Sequence, residues 1–135
     1  MATRRLKDAP RADDFALAGD VMRALGRAGE ADRHYRQAEA AWRSDTPEPA
    51  RLARFLADRG RADEAIRLAE AAMTARRDIF TADALAWAYF RAGRLEDARN
   101  AMREARRTGT RNREILRHAK AIGDTTAPST RLARR

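Results

Sequence analysis

Cysteine is missing from this 135-residue chain, which excludes a disulfide scaffold, a thiolate metal site and a cysteine nucleophile. Lysine is nearly missing, with two copies against 27 arginines. Serine occurs only at Ser44 and Ser129, the first in a segment rich in helix breakers and the second in a polar tail. No apolar run approaches the roughly 20 residues that a membrane-spanning helix needs. Arg4, Arg5 and Lys7 stand near the start, but no apolar stretch follows them, so the segment does not read as a secretory signal.

What is there is alanine and arginine. Alanine fills 32 positions, and both residue types are strong helix formers. Hydrophobic residues reach 44%, much of it alanine, so the expected core has close, thin seams. The composition points to a soluble, all-helical, cytoplasmic protein. The formal net charge is +9, spread unevenly. Residues 1–48 are balanced, whereas residues 111–135 carry seven basic against two acidic side chains. A nucleic-acid partner is therefore one expectation, with Arg106, Arg107, Arg111, Arg113, Arg117 and the arginines from Arg131 to Arg135 on phosphates. The competing expectation is that arginine–carboxylate pairs cover exposed helix faces and leave a basic tail over.

The chain repeats itself. Gly26, Gly60 and Gly93 are spaced 34 and 33 residues apart. An arginine follows each directly (Arg27, Arg61, Arg94), an acid stands four residues on (Glu30, Glu64, Asp97), and an alanine five on (Ala31, Ala65, Ala98). Nine residues on lie Tyr35, Ala69 and Met102, and twelve on lie Ala38, Ala72 and Ala105. Upstream, Met22, Leu56 and Tyr89 stand four before each glycine, and Ala18, Leu52 and Leu85 eight before. Apolar residues four apart share a helix face. A glycine accepts the left-handed conformation of a tight reversal. Small residues on the next helix let the two axes approach, and the uncovered face of each pair requires a neighbour.

With these residues in place, the pattern resembles the tetratricopeptide repeat family over three units, from about Asp13 to Arg107. The clearest stretch runs from Asp83 through Gly93-Arg94-Leu95-Glu96-Asp97-Ala98. The early Trp, the small-residue Gly of the first helix (kept only as Gly19) and the closing Pro of that family are mostly missing. The resemblance implies an all-α fold, a right-handed superhelical stack of antiparallel helix pairs. Helices are expected at about 12–25, 28–43, 49–59, 61–76, 82–92, 94–107 and 111–122, with Thr81 as an N-cap and Gly123 as the last stop. The expected organisation is a flexible arm over 1–11, a repeat domain over 12–123 and a disordered basic tail over 124–135. Within the domain the units are about 12–44, 46–78 and 79–110, capped by 111–122. Ile115, Leu116, Ala119 and Ile122 supply the cap's apolar face. Tyr35, Trp42, Phe15, Phe55 and Tyr89 are expected in the core.

No catalytic constellation emerges. His34 and His118 lie far apart and lack a clustered third ligand, so no metal is expected. Acid pairs such as Asp13-Asp14, Asp63-Glu64 and Glu96-Asp97 stand at helix starts, where they favour the helix dipole. No cofactor is expected and no enzyme activity is assigned. The resemblance implies instead that one stripe of each first helix lines a concave groove for a peptide or helix of a partner. The matching positions give Asp20, Arg23 and Ala24, then Arg54, Ala57 and Asp58, then Trp87, Phe90 and Arg91, with Arg117 extending the stripe. Arginine beside aromatics suits an acidic partner segment with an apolar anchor. Trp87 and Phe90 could equally pack on the last helix. The Lys and Asn with which some members hold a terminal carboxylate are absent from the stripe. An exposed end of the stack also makes self-association an expectation.

Overall fold

The computed structural model of the chain describes residues 11–44 and 48–123, and every regular element among them is an α-helix. These are α1 (Ala12–Ala24), α2 (Ala28–Arg43), α3 (Pro49–Asp58), α4 (Ala62–Ala75), α5 (Ile79–Arg91), α6 (Leu95–Ala105) and α7 (Arg113–Ile122). They fall into two compact units, Met1–Glu48 and Pro49–Arg135. In the first, α1 packs on α2. In the second, α3 packs on α4, α5 lies on both of them and on α6, and α7 closes on α5 and α6. The expected arm (but for Arg11), the tail and residues 45–47 of the breaker lie outside the described residues.

One turn, used three times, explains the repeat. Gly26, Gly60 and Gly93 have φ of +77°, +83° and +82°, the left-handed region that β-carbons disfavour. The N–H of the arginine after each glycine donates to the carbonyl four residues before the glycine: Arg27 to Met22, Arg61 to Leu56, Arg94 to Tyr89. The glycine's own N–H donates to Arg23, Ala57 and Phe90 respectively. This paired bonding satisfies carbonyls that the helix end would leave open. The same arginines then pair with the acid three residues on, Arg27 with Glu30, Arg61 with Glu64 and Arg94 with Asp97. The arginine and acid of the repeat thus join the end of one helix to the start of the next.

Behind each turn the small residues are sealed. Ala31, Ala65 and Ala98 are buried, as are Tyr35, Ala69 and Met102. In the first unit a β-carbon on Gly19 would meet Cε1 of Tyr35 at 2.5 Å, so α1 and α2 touch through glycine against an aromatic ring. In the second, Ala82, Ala86, Ala98, Met102, Ala105, Ile115, Ala119 and Ile122 form one cluster joining α5, α6 and α7. Burying a side chain such as Met102 contributes about 1.5–3 kcal/mol.

Four expectations need correction. Thr81 is not the cap of α5: Asp78 is, its Oδ1 accepting from the Thr81 N–H at 2.8 Å, and the helix starts at Ile79. A carboxylate three residues upstream reaches the first open N–H groups, and Thr81 is buried inside the first turn. Phe15, Phe55 and Tyr89 are half-buried rather than sealed, and Tyr89 packs against the α5–α6–α7 cluster. Leu116 is exposed, because its neighbours Ile115, Ala119 and Ile122 occupy the inward face of α7 and His118 takes the remaining place there. Ala72 is half-buried where its counterparts Ala38 and Ala105 are buried.

Candidate functional site

The candidate stripe of the second unit lies on three helices: Arg54 and Asp58 on α3, Trp87, Phe90 and Arg91 on α5, and Arg117 on α7. Trp87 sits among them half-buried. Its Nε1–H donates to Oδ1 of Asp58 at 2.8 Å. Its ring stacks on the imidazole of His118, with centroids 4.2 Å apart and planes 19° apart, and lies 5.2 Å from the ring of Phe90. Phe90 packs in turn against the α5–α6–α7 cluster. Both aromatics therefore lean on the last helix and keep part of their surface open.

Beneath Trp87 lies a charged network. Asp83, one turn earlier on α5, is 1% exposed, and His118 is 6% exposed. Nδ1 of His118 stands 2.8 Å from Oδ1 of Asp83, where a ring N–H donates to the carboxylate. Arg54 places Nη1 3.9 Å from Oδ2 of Asp83 and Nε 3.6 Å from Glu114. Glu114 stands 4.0 Å from Nε2 of His118. A buried carboxylate without partners costs several kcal/mol, so Asp83 persists at the centre of the fold because a ring N–H and a guanidinium face it. Arg54 is engaged by two carboxylates, while Arg91 and Arg117 are exposed.

Asp20 and Arg23 belong to the first unit. Asp20 accepts from the Tyr35 hydroxyl at 2.7 Å. Burial, then that bond, push the Tyr35 phenol above its ordinary value, with Arg23 acting in the opposite sense. Tyr89 shows the same arrangement more strongly in the second unit. Burial, then its 2.6 Å bond to Glu70, push it up to about 12, and Arg94 lies 4.6 Å over its ring.

Sequence reasoning passed over Asp83 and Glu114 and considered His118 as a metal ligand without companions. The signals were present. Asp83 is the one charged residue between Ile79 and Phe90, and His118 stands on the apolar face of α7, three residues after Ile115 and four before Ile122.

Residues 50–80 and 81–112 each match the family model for the tetratricopeptide repeat. The chain is a tetratricopeptide repeat protein. The matched tetratricopeptide repeats are the second and third of the glycine-anchored units. No curated protein and no solved structure gives a significant match. Tetratricopeptide repeats generally mediate protein–protein interaction and are typically non-catalytic. Among the described residues there is no cluster of three or more His, Asp or Glu placed to hold a metal ion. No described helix is long and apolar enough to cross a membrane.

Proposed function

We propose that this is a non-catalytic interaction protein whose second unit takes a peptide or helix of a protein partner on the face shared by α3, α5 and α7. Trp87 carries the reading. Asp58 fixes its indole nitrogen and His118 its ring, yet it stays half-open. An aromatic anchor already held in one pose loses little freedom when a ligand covers it, and tryptophan and arginine dominate binding hot spots. Phe90 extends the apolar contact, and the exposed Arg91 and Arg117 suit acidic side chains flanking the partner's apolar anchor. Arg54 and Asp58 hold the face in shape, and Asp20 and Arg23 are assigned to partner contact on the first unit.

The test is capture by the full-length protein from nuclease-treated lysate. A discrete protein is expected with the wild type and lost with Arg91→Glu and with Trp87→Ala. Arg91 is exposed, so its variant keeps the fold even if Trp87→Ala loosens α7. Capture unchanged by Arg91→Glu and by a folded Trp87→Ala refutes the face.

One observation favours a second reading. Arg113, Arg117 and Lys120 share the outward face of α7 and are exposed, with no carboxylate paired to them among the described residues. A phosphate backbone would fit that face. In that case binding falls steeply with salt, and every co-purifying protein is lost on nuclease treatment.

A further inference from the structure

We infer that the apolar stripe on the outer side of α1 docks a second copy of this chain, α1 against α1 in antiparallel register. Leu17, Val21 and Leu25 are 63%, 46% and 62% exposed, and they follow one another at intervals of four residues over about 12 Å of helix. Their place in the repeat says what kind of surface this is. Leu17 and Val21 stand nine and five residues before Gly26. The residues nine and five before Gly93 are Ala84 and Ala88, both 0% exposed. They lie outside the cluster that α5 shares with α6 and α7, on a helix that also packs against α3 and α4. At the same register α3 carries the exposed Arg51 and the half-buried Phe55. On α5 the face at this register is small and sealed by the preceding pair, and on α1 it is large and open.

The residues along α1 select the occupant and its direction. A twofold axis at Val21 sets Val21 on the partner's Val21 and Leu17 on the partner's Leu25, so one stripe covers the other completely. Asp14, which accepts from the Arg11 N–H, lies at one end of the stripe, and Arg27, paired with Glu30, stands in the turn at the other. Antiparallel pairing brings Asp14 of each copy to the partner's Arg27 as a second carboxylate on that guanidinium, whereas parallel pairing sets Asp14 beside Asp14. Ala18 and Ala24 flank the stripe and let the axes approach.

Sedimentation of the full chain from micromolar to near-millimolar concentration tests this, and it reads mass alone, with no reference to the α3–α5–α7 face. The wild type is expected to move from monomer to dimer. Val21→Glu sets two carboxylates together on the axis and weakens association by about a hundredfold or more. Leu116→Glu, on the exposed side of α7, leaves it unchanged. Because the chain has no cysteine, Val21→Cys alone is expected to oxidise to a disulfide-linked dimer, while Leu17→Cys alone does not and Leu17→Cys mixed with Leu25→Cys does. A monomer at every concentration overturns the proposal. So does a dimer indifferent to Val21→Glu, or cross-linking by Leu17→Cys alone in preference to Val21→Cys.

Discussion

Gly19→Ala sets two rules of protein structure against each other, and the structure decides which wins. Glycine inside an exposed helix costs about 1 kcal/mol relative to alanine, so propensity alone makes the substitution stabilising. Gly19 lies on the buried side of α1, however. The new β-carbon would stand 2.5 Å from Cε1, 2.6 Å from Cδ1 and 2.9 Å from Cζ of Tyr35. Carbon atoms are content at about 3.5–4.0 Å, so the ring must retreat by about 1 Å. It has little room to do so. Tyr35 is buried, and its hydroxyl is tied to Asp20 at 2.7 Å. Overpacking of this kind costs about 1–3 kcal/mol, and subtracting the propensity gain leaves a net loss of up to about 2 kcal/mol. Hydrogen exchange should therefore accelerate at the α1 and α2 amides of the full chain while α5 and α6 keep their protection. Gly19→Ala combined with Tyr35→Leu should lose less than the sum of the two single changes, because the smaller side chain removes the clash. Slower exchange in α1 after Gly19→Ala, or strict additivity with Tyr35→Leu, would refute the claim that glycine here serves contact with the ring.

Met102→Ala empties the centre of the α5–α6–α7 cluster and should cost about 2–5 kcal/mol, read as a lower urea midpoint at unchanged slope. Asp78→Ala removes the cap of α5 and should cost about 0.5–2 kcal/mol. Burial opposes ionisation of Asp78, but the Thr81 and Phe80 bonds and Arg76 hold its carboxyl below the ordinary value. Its contribution is therefore present above the unfolded value and lost as pH falls through the folded one, so wild type and Asp78→Ala should converge in acid. Tyr89 titrates near 12 when folded and near 10 when unfolded, so its share of stability is complete below 10 and lost as pH rises through 12. A phenolate absorbance titration should find it late, and Tyr89→Phe should flatten the alkaline loss. Asp83→Ala leaves His118 without its carboxylate and should cost about 3–5 kcal/mol, with α7 exchanging first.

The helix pairs were legible because their signal is local and repeated. A glycine, the arginine after it and the acid three residues further on are close in sequence, and their bonds form within one turn. Trp42 and Tyr35 could be placed by periodicity for the same reason. Asp83, Glu114 and His118 could not, because their meaning depends on α7 returning to α5 across a separation of 35 residues between Asp83 and His118. The resemblance put Arg54 on the expected groove stripe but could not show the two carboxylates that face it. Thr81 was chosen as a cap by residue type, yet the first turn of α5 lies three residues earlier, where Asp78 bonds better. Leu116 misled because a ten-residue helix leaves room for one more apolar face than the core can cover.

The charged network under Trp87 answers a problem that an alanine-rich core creates. Alanine seams are smooth: Ala82, Ala86, Ala98 and Ala105 offer few projections that would key one helix register over another. A buried polar pair adds little net stability, since desolvation offsets most of its attraction, but its hydrogen bond holds only over a narrow range of distance and angle. Asp83 meets His118 from α7 and Arg54 from α3 at one point on α5, and Glu114 joins Arg54 to the same histidine. Those links fix the register of three helices where small apolar side chains alone would not. Trp87 stacks on that histidine, so the pose of the indole follows from the same register. Replacing all four polar residues with apolar ones of similar volume should therefore preserve stability better than Asp83→Ala alone, while the Trp87 ring loses its single orientation.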